Sequence, residues 1–273
     1  MFKGWGRVSF FMGLKDDLAR AVPGDKLRFL DYAIIGDIAV VSFPPELEAY
    51  KAGAADAILS RRKNIRAVLN KLSKAEGDER VPRYEILKGE DAIATYREFG
   101  FTYRFDVSKV FFNGHLSHER RRIADMAAPG EGVLVPFAGA GPFAIPLAAK
   151  GCRVIAVEKS AVACKWLASN ARLNHVEAFV DILNADALTL PSLLDTKFDR
   201  AVVPTPYGMD DILITLLPLV KQGGMLHIYT FKKKHQIEGL VDQYESLGLA
   251  VERYRRCGNV APGVSRWAFD LKK

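Results

Sequence analysis

Two glycines and a carboxylate give the first hint of chemistry. Gly139-Ala-Gly141 lies between the apolar runs 133–137 and 142–150, where a strand would turn into a helix. Lacking a Cβ, each glycine lets the chain turn tightly and approach a ligand closely. Glu158 closes the next apolar run, VIAVE, 19 positions after Gly139. An acid about 20 residues beyond such a turn can accept hydrogen bonds from both hydroxyls of a ribose. The spacing points to a cofactor that contains a nucleoside.

Two cofactor classes fit that geometry. A nicotinamide dinucleotide needs a glycine fingerprint that cradles pyrophosphate, and here the turn reads GAGPFAI with no third glycine. Pro142 also removes one N–H donor. The defective fingerprint suits a cofactor without pyrophosphate, so S-adenosyl-L-methionine is the expected ligand and a dinucleotide the competing one. Asp186, just past the third strand of the series, could meet the adenine amino group or simply cap a turn. Pro204-Thr205-Pro206-Tyr207 follows the fourth strand as a stiff loop, where substrate and transferred group should meet, or as a rigid turn without chemical role.

The elements that must position these groups can be read from periodicity. Over 133–271 short apolar strands alternate with helices. Strands are expected at 133–137, 154–157, 180–183, 199–203, 225–231, 251–255 and 266–271. Helices are expected at 142–150, 160–173, 213–220 and 237–247. Such βα units call for a mostly parallel sheet covered on both faces. Before them, 27–35 and 38–41 read as strands split by Gly36-Asp37, and 46–72 reads as one helix. Segments 92–101 and 102–110 read as a hairpin, and a helix over 117–126 has Ser117 as its candidate N-cap. The fold class expected is α/β, a class I Rossmann-like methyltransferase domain at 108–273 preceded by a small α+β domain at 1–107, with the junction near 105–115.

Composition bounds the partners. The 273 residues are 49% hydrophobic and 26% charged, with a formal net charge of +7. A basic surplus suits a phosphate-bearing partner, because Lys and Arg displace its counterions. Cys152, Cys164 and Cys257 show no metal-ligand spacing and read as reduced thiols of a cytoplasmic protein. No apolar run approaches a membrane span, and the opening MFKGWGRVSFFMG has no long apolar leader. No metal and no membrane partner are expected, and the chain is expected to be a monomer.

Segments FFNGHLSHERRRI (111–123), PFAGAGPFAIPLA (136–148), AVEKSAVACKWLASNARLN (156–174), GGMLHIYTF (223–231) and NVAPGVSRWAFDL (259–271) together resemble the archaeal and eukaryotic tRNA (guanine-37-N1) methyltransferases. They also resemble the related wybutosine-pathway aminocarboxypropyl transferases. The resemblance runs from about residue 25 to the end. It implies a small RNA-contacting domain, a methyltransferase domain and tRNA as partner. By position it implies Glu119 as general base and Arg83 as the guanidinium that steadies guanine O6. It implies a donor site formed by Asn113, Arg120, Phe137, Gly139, Gly141, Phe143, Glu158, Lys159, Asp186, Ala187 and Pro204. The chemistry is coherent: N1 of guanine must lose a proton as the methyl arrives, and negative charge then builds on O6. Against this, a run such as Glu119-Arg-Arg-Arg ordinarily faces water. His115 and His118 read as surface residues.

Three positions depart from the family pattern. Pro204 stands where the family usually has Asn, Val135 where it has an Asp ending the first strand, and His115 where it has Arg. GPF after the turn and HIYTF resemble the methyl-transferring branch, and Glu158-Lys159 the other. Methyl transfer to guanosine 37 of tRNA is the expected activity. Aminocarboxypropyl transfer, or an RNA-binding paralogue that has lost catalysis, are the alternatives.

Overall fold

The computed structural model describes residues 16–73 and 81–273, so the N-terminal segment read above for a leader lies outside the described residues. The chain divides into two compact units. One comprises Met1–Arg97 with Arg104–Phe111, the other Glu98–Tyr103 with Phe112–Lys273.

In the first unit four strands form a sheet ordered β1-β2-β3-β4. β1 (Asp31–Ile35) and β2 (Ile38–Ser42) pair antiparallel around Gly36-Asp37, as their turn chemistry requires. Gly36 has φ +61°, and a Cβ there would lie 2.2 Å from the Thr95 carbonyl oxygen, so both conformation and space demand glycine. The single helix expected over 46–72 is not found. A 3-10 turn (Pro45–Tyr50) leads into α1 (Lys51–Arg61), and β3 (Ala67–Lys71) follows, parallel to β2. β4 (Tyr84–Lys88) closes the sheet. The cause is burial: Ala67, Val68, Leu69 and Asn70 are all covered. A continuous apolar run of that length fits a two-sided buried strand as well as it fits helical spacing. Ile58, Val68, Val41 and Leu47 meet in the core of this unit.

β5 (Ile93–Glu98) and β6 (Phe101–Asp106) form the hairpin, with its turn at Phe99-Gly100. Both turn residues have positive φ, 47° and 89°, the condition for a tight two-residue turn that follows strand twist. The turn thus falls two residues earlier than the aromatic content suggested, and Phe101 opens the second strand.

The second unit is built on a seven-stranded sheet ordered β12-β13-β11-β10-β7-β8-β9. β7 (Gly132–Pro136), β8 (Arg153–Glu158), β9 (Val180–Asn184) and β10 (Phe198–Val203) are parallel, and so is β11 (Val220–Lys233) on β10. β12 (Ala250–Ala261) and β13 (Val264–Lys272) form an antiparallel hairpin on β11. The chain runs outward from β7 through β8 to β9, then returns to the opposite side of β7. The crevice between β7 and β10 is therefore the switch point at which open α/β sheets bind ligands.

Helices α2 (Ser117–Met126), α3 (Ala144–Ala149), α4 (Ala161–Leu173), α5 (Ile212–Leu216) and α6 (Ile237–Ser246) cover the sheet. The helix expected over 213–220 is shorter: a 3-10 turn (Leu217–Leu219) ends it and Val220 already belongs to β11. Among the described residues no helix is long and apolar enough to cross a membrane.

Candidate functional site

Strand β7 ends at Pro136, and the chain then turns through Phe137, Gly139 and Gly141 with φ of 54°, 54° and 93°. Phe137 in this region is unusual for a bulky side chain and marks a backbone held by its surroundings. Gly141 cannot be replaced cheaply, because a Cβ would lie 2.2 Å from Leu167 Cδ1 on α4. The turn is pinned from three sides: the Ala138 N–H donates to Val157 O at 3.0 Å, Asn170 Nδ2 to Ala140 O at 3.0 Å, and the Gly139 N–H to Glu158 Oε2 at 2.9 Å.

Glu158 ends β8 and is half-buried. Its other oxygen accepts the Ser160 N–H at 2.9 Å, and Ser160 caps α4 by accepting from Ala163 N. Each carboxylate oxygen keeps a lone pair after these bonds, which is the acceptor capacity a ribose diol needs. Lys159 pairs with Asp186 at 3.3 Å. Asp186 also caps the 3-10 turn Ala187–Thr189, accepting the Leu188 N–H at 3.0 Å. That N–H, aided by Lys159, holds the Asp186 carboxyl below its ordinary value despite partial burial. Of the two readings of Asp186, the capping contact is present in the structure. Ala187 is buried beside it.

A second cluster surrounds the start of α2. Ser117 is not the cap expected there. Asn113 caps the preceding 3-10 turn (Gly114–Leu116) by accepting the His115 N–H at 2.9 Å, and the helix entry carries no side-chain cap. His115 and His118 are exposed. The first half of the acid–base run is buried, contrary to its solvated look: Glu119 and Arg120 are each 2% exposed, whereas Arg121 is exposed. Arg120 donates through Nε to Glu98 Oε1 at 2.6 Å, through Nη2 to Glu98 Oε2, and through Nη1 to the Asn113 carbonyl at 2.9 Å. Its guanidinium also lies over the rings of Phe112 and Phe143, at 5.4 and 5.9 Å.

Glu119 Oε2 accepts from Arg122 Nη2 at 3.0 Å and from the Tyr229 hydroxyl at 3.2 Å, and Oε1 pairs with Arg255. The two clusters meet at Phe143, whose ring centroid lies 5.4 Å from that of Tyr229. The residue just after the glycine turn thus touches both the Arg120 cluster and the tyrosine that holds Glu119.

At the end of β10, Pro204 is half-buried and Thr205 buried, its hydroxyl donating back to Val203 O at 3.2 Å. Tyr207 is 59% exposed, 5.3 Å from the ring of Phe231. Arg83 belongs to the first unit, exposed ahead of β4, and is not among the residues the second unit assembles; its backbone N–H donates to Ser73 Oγ. Among the described residues no group of His, Cys, Asp and Glu side chains is placed to hold a metal ion.

Sequence reasoning missed the partners beneath Glu119. Arg122, Asp270, His227 and Arg200 join it in a buried chain of ion pairs and hydrogen bonds. The available signal was a polar residue inside an apolar strand, His227 in MLHIYTF and Asp270 in WAFDL.

Comparison with known proteins places this arrangement. The family model described as the TRM5/TYW2 methyltransferase domain matches residues 94–250, and that of the TYW2 N-terminal domain matches 14–92. The chain is 37% identical, over 92% of its length and 78% of the relative's, to the tRNA (guanine(37)-N(1))-methyltransferase Trm5b of Pyrococcus abyssi. It is 29% identical, over 95% of both chains, to a tRNA(Phe) (4-demethylwyosine(37)-C(7)) aminocarboxypropyltransferase of Pyrococcus horikoshii. The crystal structure of P. horikoshii TYW2 in complex with MeSAdo superposes with a TM-score of 0.76, at 26% identity, over 95% of this chain and 97% of that one.

Proposed function

This chain belongs to the TRM5/TYW2 methyltransferase family, and from that premise we propose that it is an S-adenosylmethionine-dependent tRNA methyltransferase acting on N1 of guanosine 37. In this reading residues 108–273 hold the donor, residues 1–107 contact the RNA, and the enzyme works in the cytoplasm. The observation that carries the reading is the Glu158 carboxylate at the end of β8, fixed at 2.9 Å against the Gly139 N–H of the turn after β7, which borders the switch point of the sheet.

The residues present fit the donor. The Gly141 position has no room for a Cβ, Glu158 keeps lone pairs for a sugar diol, and Asp186 with Lys159 offers a polar edge for adenine. Phe137, Gly139, Ala187 and Pro204 would complete that pocket. Phe143, with Arg120 and Asn113 behind it, would close its methionine end. Bound there, the donor supplies an electrophilic methyl carbon on a sulfonium.

The chain's own groups do the rest. Guanine N1 attacks the methyl carbon as the C–S bond breaks, the bonding pair leaving with sulfur. The N1 proton passes to Glu119. The resemblance assigns Arg83, of the first unit, to the negative charge gathered on O6.

A second reading has specific support. The TYW2 N-terminal match over 14–92 and the end-to-end match to the aminocarboxypropyltransferase favour transfer of the aminocarboxypropyl group instead. Pro204, where the family usually has Asn, lacks an amide side chain, and that departure favours the third reading, a paralogue without catalysis. One experiment separates the readings: incubate the protein with unmodified tRNA transcript and, in parallel, with tRNA carrying 4-demethylwyosine at position 37, using donor labelled either in the methyl or in the carboxypropyl moiety, then analyse the nucleosides by mass spectrometry. Methyl label on guanosine of the transcript supports the first reading, and carboxypropyl label on the 4-demethylwyosine tRNA the second. Donor binding with no transfer marks a paralogue without catalysis.

A further inference from the structure

Beneath Glu119 lies a chain of buried charges that the transfer chemistry does not yet use. Arg122, one turn along α2, spans two carboxylates. It donates to Glu119 Oε2 through Nε at 3.2 Å and Nη2 at 3.0 Å, and to Asp270 through Nη1 at 2.6 Å and Nη2 at 2.9 Å. Asp270, on β13 and 4% exposed, receives His227 Nδ1 on the same oxygen as Arg122 Nη2, at 2.6 Å. His227 Nε2 in turn lies 2.6 Å from Arg200 Nη1, and Arg200 forks onto Glu131 at 2.7 and 3.1 Å.

The protonation of this chain follows from its geometry. A guanidinium can only donate, so His227 Nε2 accepts from Arg200. Nδ1 must then carry the proton it gives to Asp270, and the imidazole is neutral. Burial pushes the ring the same way. Positive and negative groups alternate from Glu131 to Glu119, tying α2 to three adjacent strands, β10, β11 and β13.

The two oxygens of Glu119 are held differently. Oε2 is fixed by Arg122, whose side chain is 15% exposed, and by the buried Tyr229 hydroxyl. Oε1 faces Arg255 of the sheet-edge strand β12, whose side chain is 36% exposed. Both oxygens are buried, but Oε2 is held by groups of the core while Oε1 is covered by the part-exposed Arg255 side chain.

We propose that Arg122, clamped on Asp270, is a positioning residue for transfer: it locks Glu119 Oε2, so that when the Arg255 side chain swings away from Oε1 that oxygen is already aimed to take the proton of the target base. The proposal rests on the reading of Glu119 as the general base. Supporting shells of this kind set the orientation of a reacting group to within fractions of an ångström, and small misplacements cost rate while leaving binding untouched. A lysine at 122 keeps the positive charge near Asp270 but cannot fork onto two carboxylates.

The test compares Arg122→Lys, Glu119→Gln, His227→Ala and His227→Gln in steady-state transfer to a tRNA transcript, with donor Kd and Tm measured for each. Arg122→Lys should keep donor Kd, tRNA KM and Tm near wild type while kcat falls about tenfold or more. His227→Ala should also lower kcat, and His227→Gln should restore most of it, because an amide accepts from Arg200 and donates to Asp270. If Glu119→Gln is slow and Arg122→Lys transfers at the wild-type rate, the positioning role fails and the base survives. If Arg122→Lys loses kcat, KM and Tm together, its role is structural and the proposal fails. A Glu119→Gln enzyme of full activity removes the base and the positioning role with it.

Discussion

Glu158 and Gly139, 19 residues apart, are joined by a 2.9 Å hydrogen bond from the glycine N–H to Oε2 of the carboxylate. The bond ties the end of β8 to the turn after β7, so the group that would grip the sugar also shapes the turn that would admit it. Glu158→Ala should weaken S-adenosylmethionine binding by about 1–3 kcal/mol, the cost of losing a charge-assisted contact. Isothermal titration of both proteins checks this, and an unchanged Kd would remove Glu158 from the donor site.

The neighbouring glycine gives a steric prediction. In Gly141→Ala a methyl group enters where Leu167 Cδ1 already sits, at φ +93°. Overpacking of this kind costs about 1–3 kcal/mol, so Tm should fall and the donor bind more weakly. Replacing Leu167 by Ala in the same chain should recover part of the affinity, since it removes the obstructing methyl. No recovery would place the defect in the backbone rather than in the clash.

Arg120 and Glu98 form a buried ion pair, their side chains 2% and 5% exposed. Removing one partner strands a charge in the interior, which costs about 3–5 kcal/mol. Glu98→Ala should therefore lower chemical-denaturation stability by that order while leaving Glu119 and its partners in place. A loss under 1 kcal/mol would show that water reaches the guanidinium and that the pair is not sealed.

The buried chain also sets a pH dependence. Burial holds the His227 imidazole below its ordinary value, more than Asp270 beside it offsets. A base whose folded value lies below its unfolded one, about 6.5, contributes stability that is complete above that pH and is lost as pH falls through the folded value. Burial alone would raise the Asp270 carboxyl, but the His227 N–H and the Arg122 guanidinium outweigh it and hold it well below the carboxylate range. Its contribution is lost only below about pH 4, the unfolded value. Thermal melts should then show wild type losing ground to His227→Gln as pH drops from about 6.5 to 4.5. Parallel curves over that range would contradict a neutral buried ring.

What the sequence made legible was local. The glycine turn, Glu158 and the alternation of strands and helices are fixed by spacing and turn chemistry within a few dozen residues, and the structure places them as expected. What stayed hidden depends on burial from distant strands. Glu119 sits in a run that looks solvated, and only β11, β12 and β13, more than a hundred residues later, supply Tyr229, Arg255 and, through Arg122, Asp270 to cover it. The same cause misleads at 67–71, where burial on both faces of β3 produces apolar spacing that mimics a helix.

The most direct test of the account is methyl transfer to two tRNA transcripts that differ only at position 37, one with guanosine and one with adenosine, in the presence of methyl-labelled S-adenosylmethionine. The account predicts label on the guanosine transcript, recovered as N1-methylguanosine, and none on the other. Equal labelling of both, or no label on either, would contradict it.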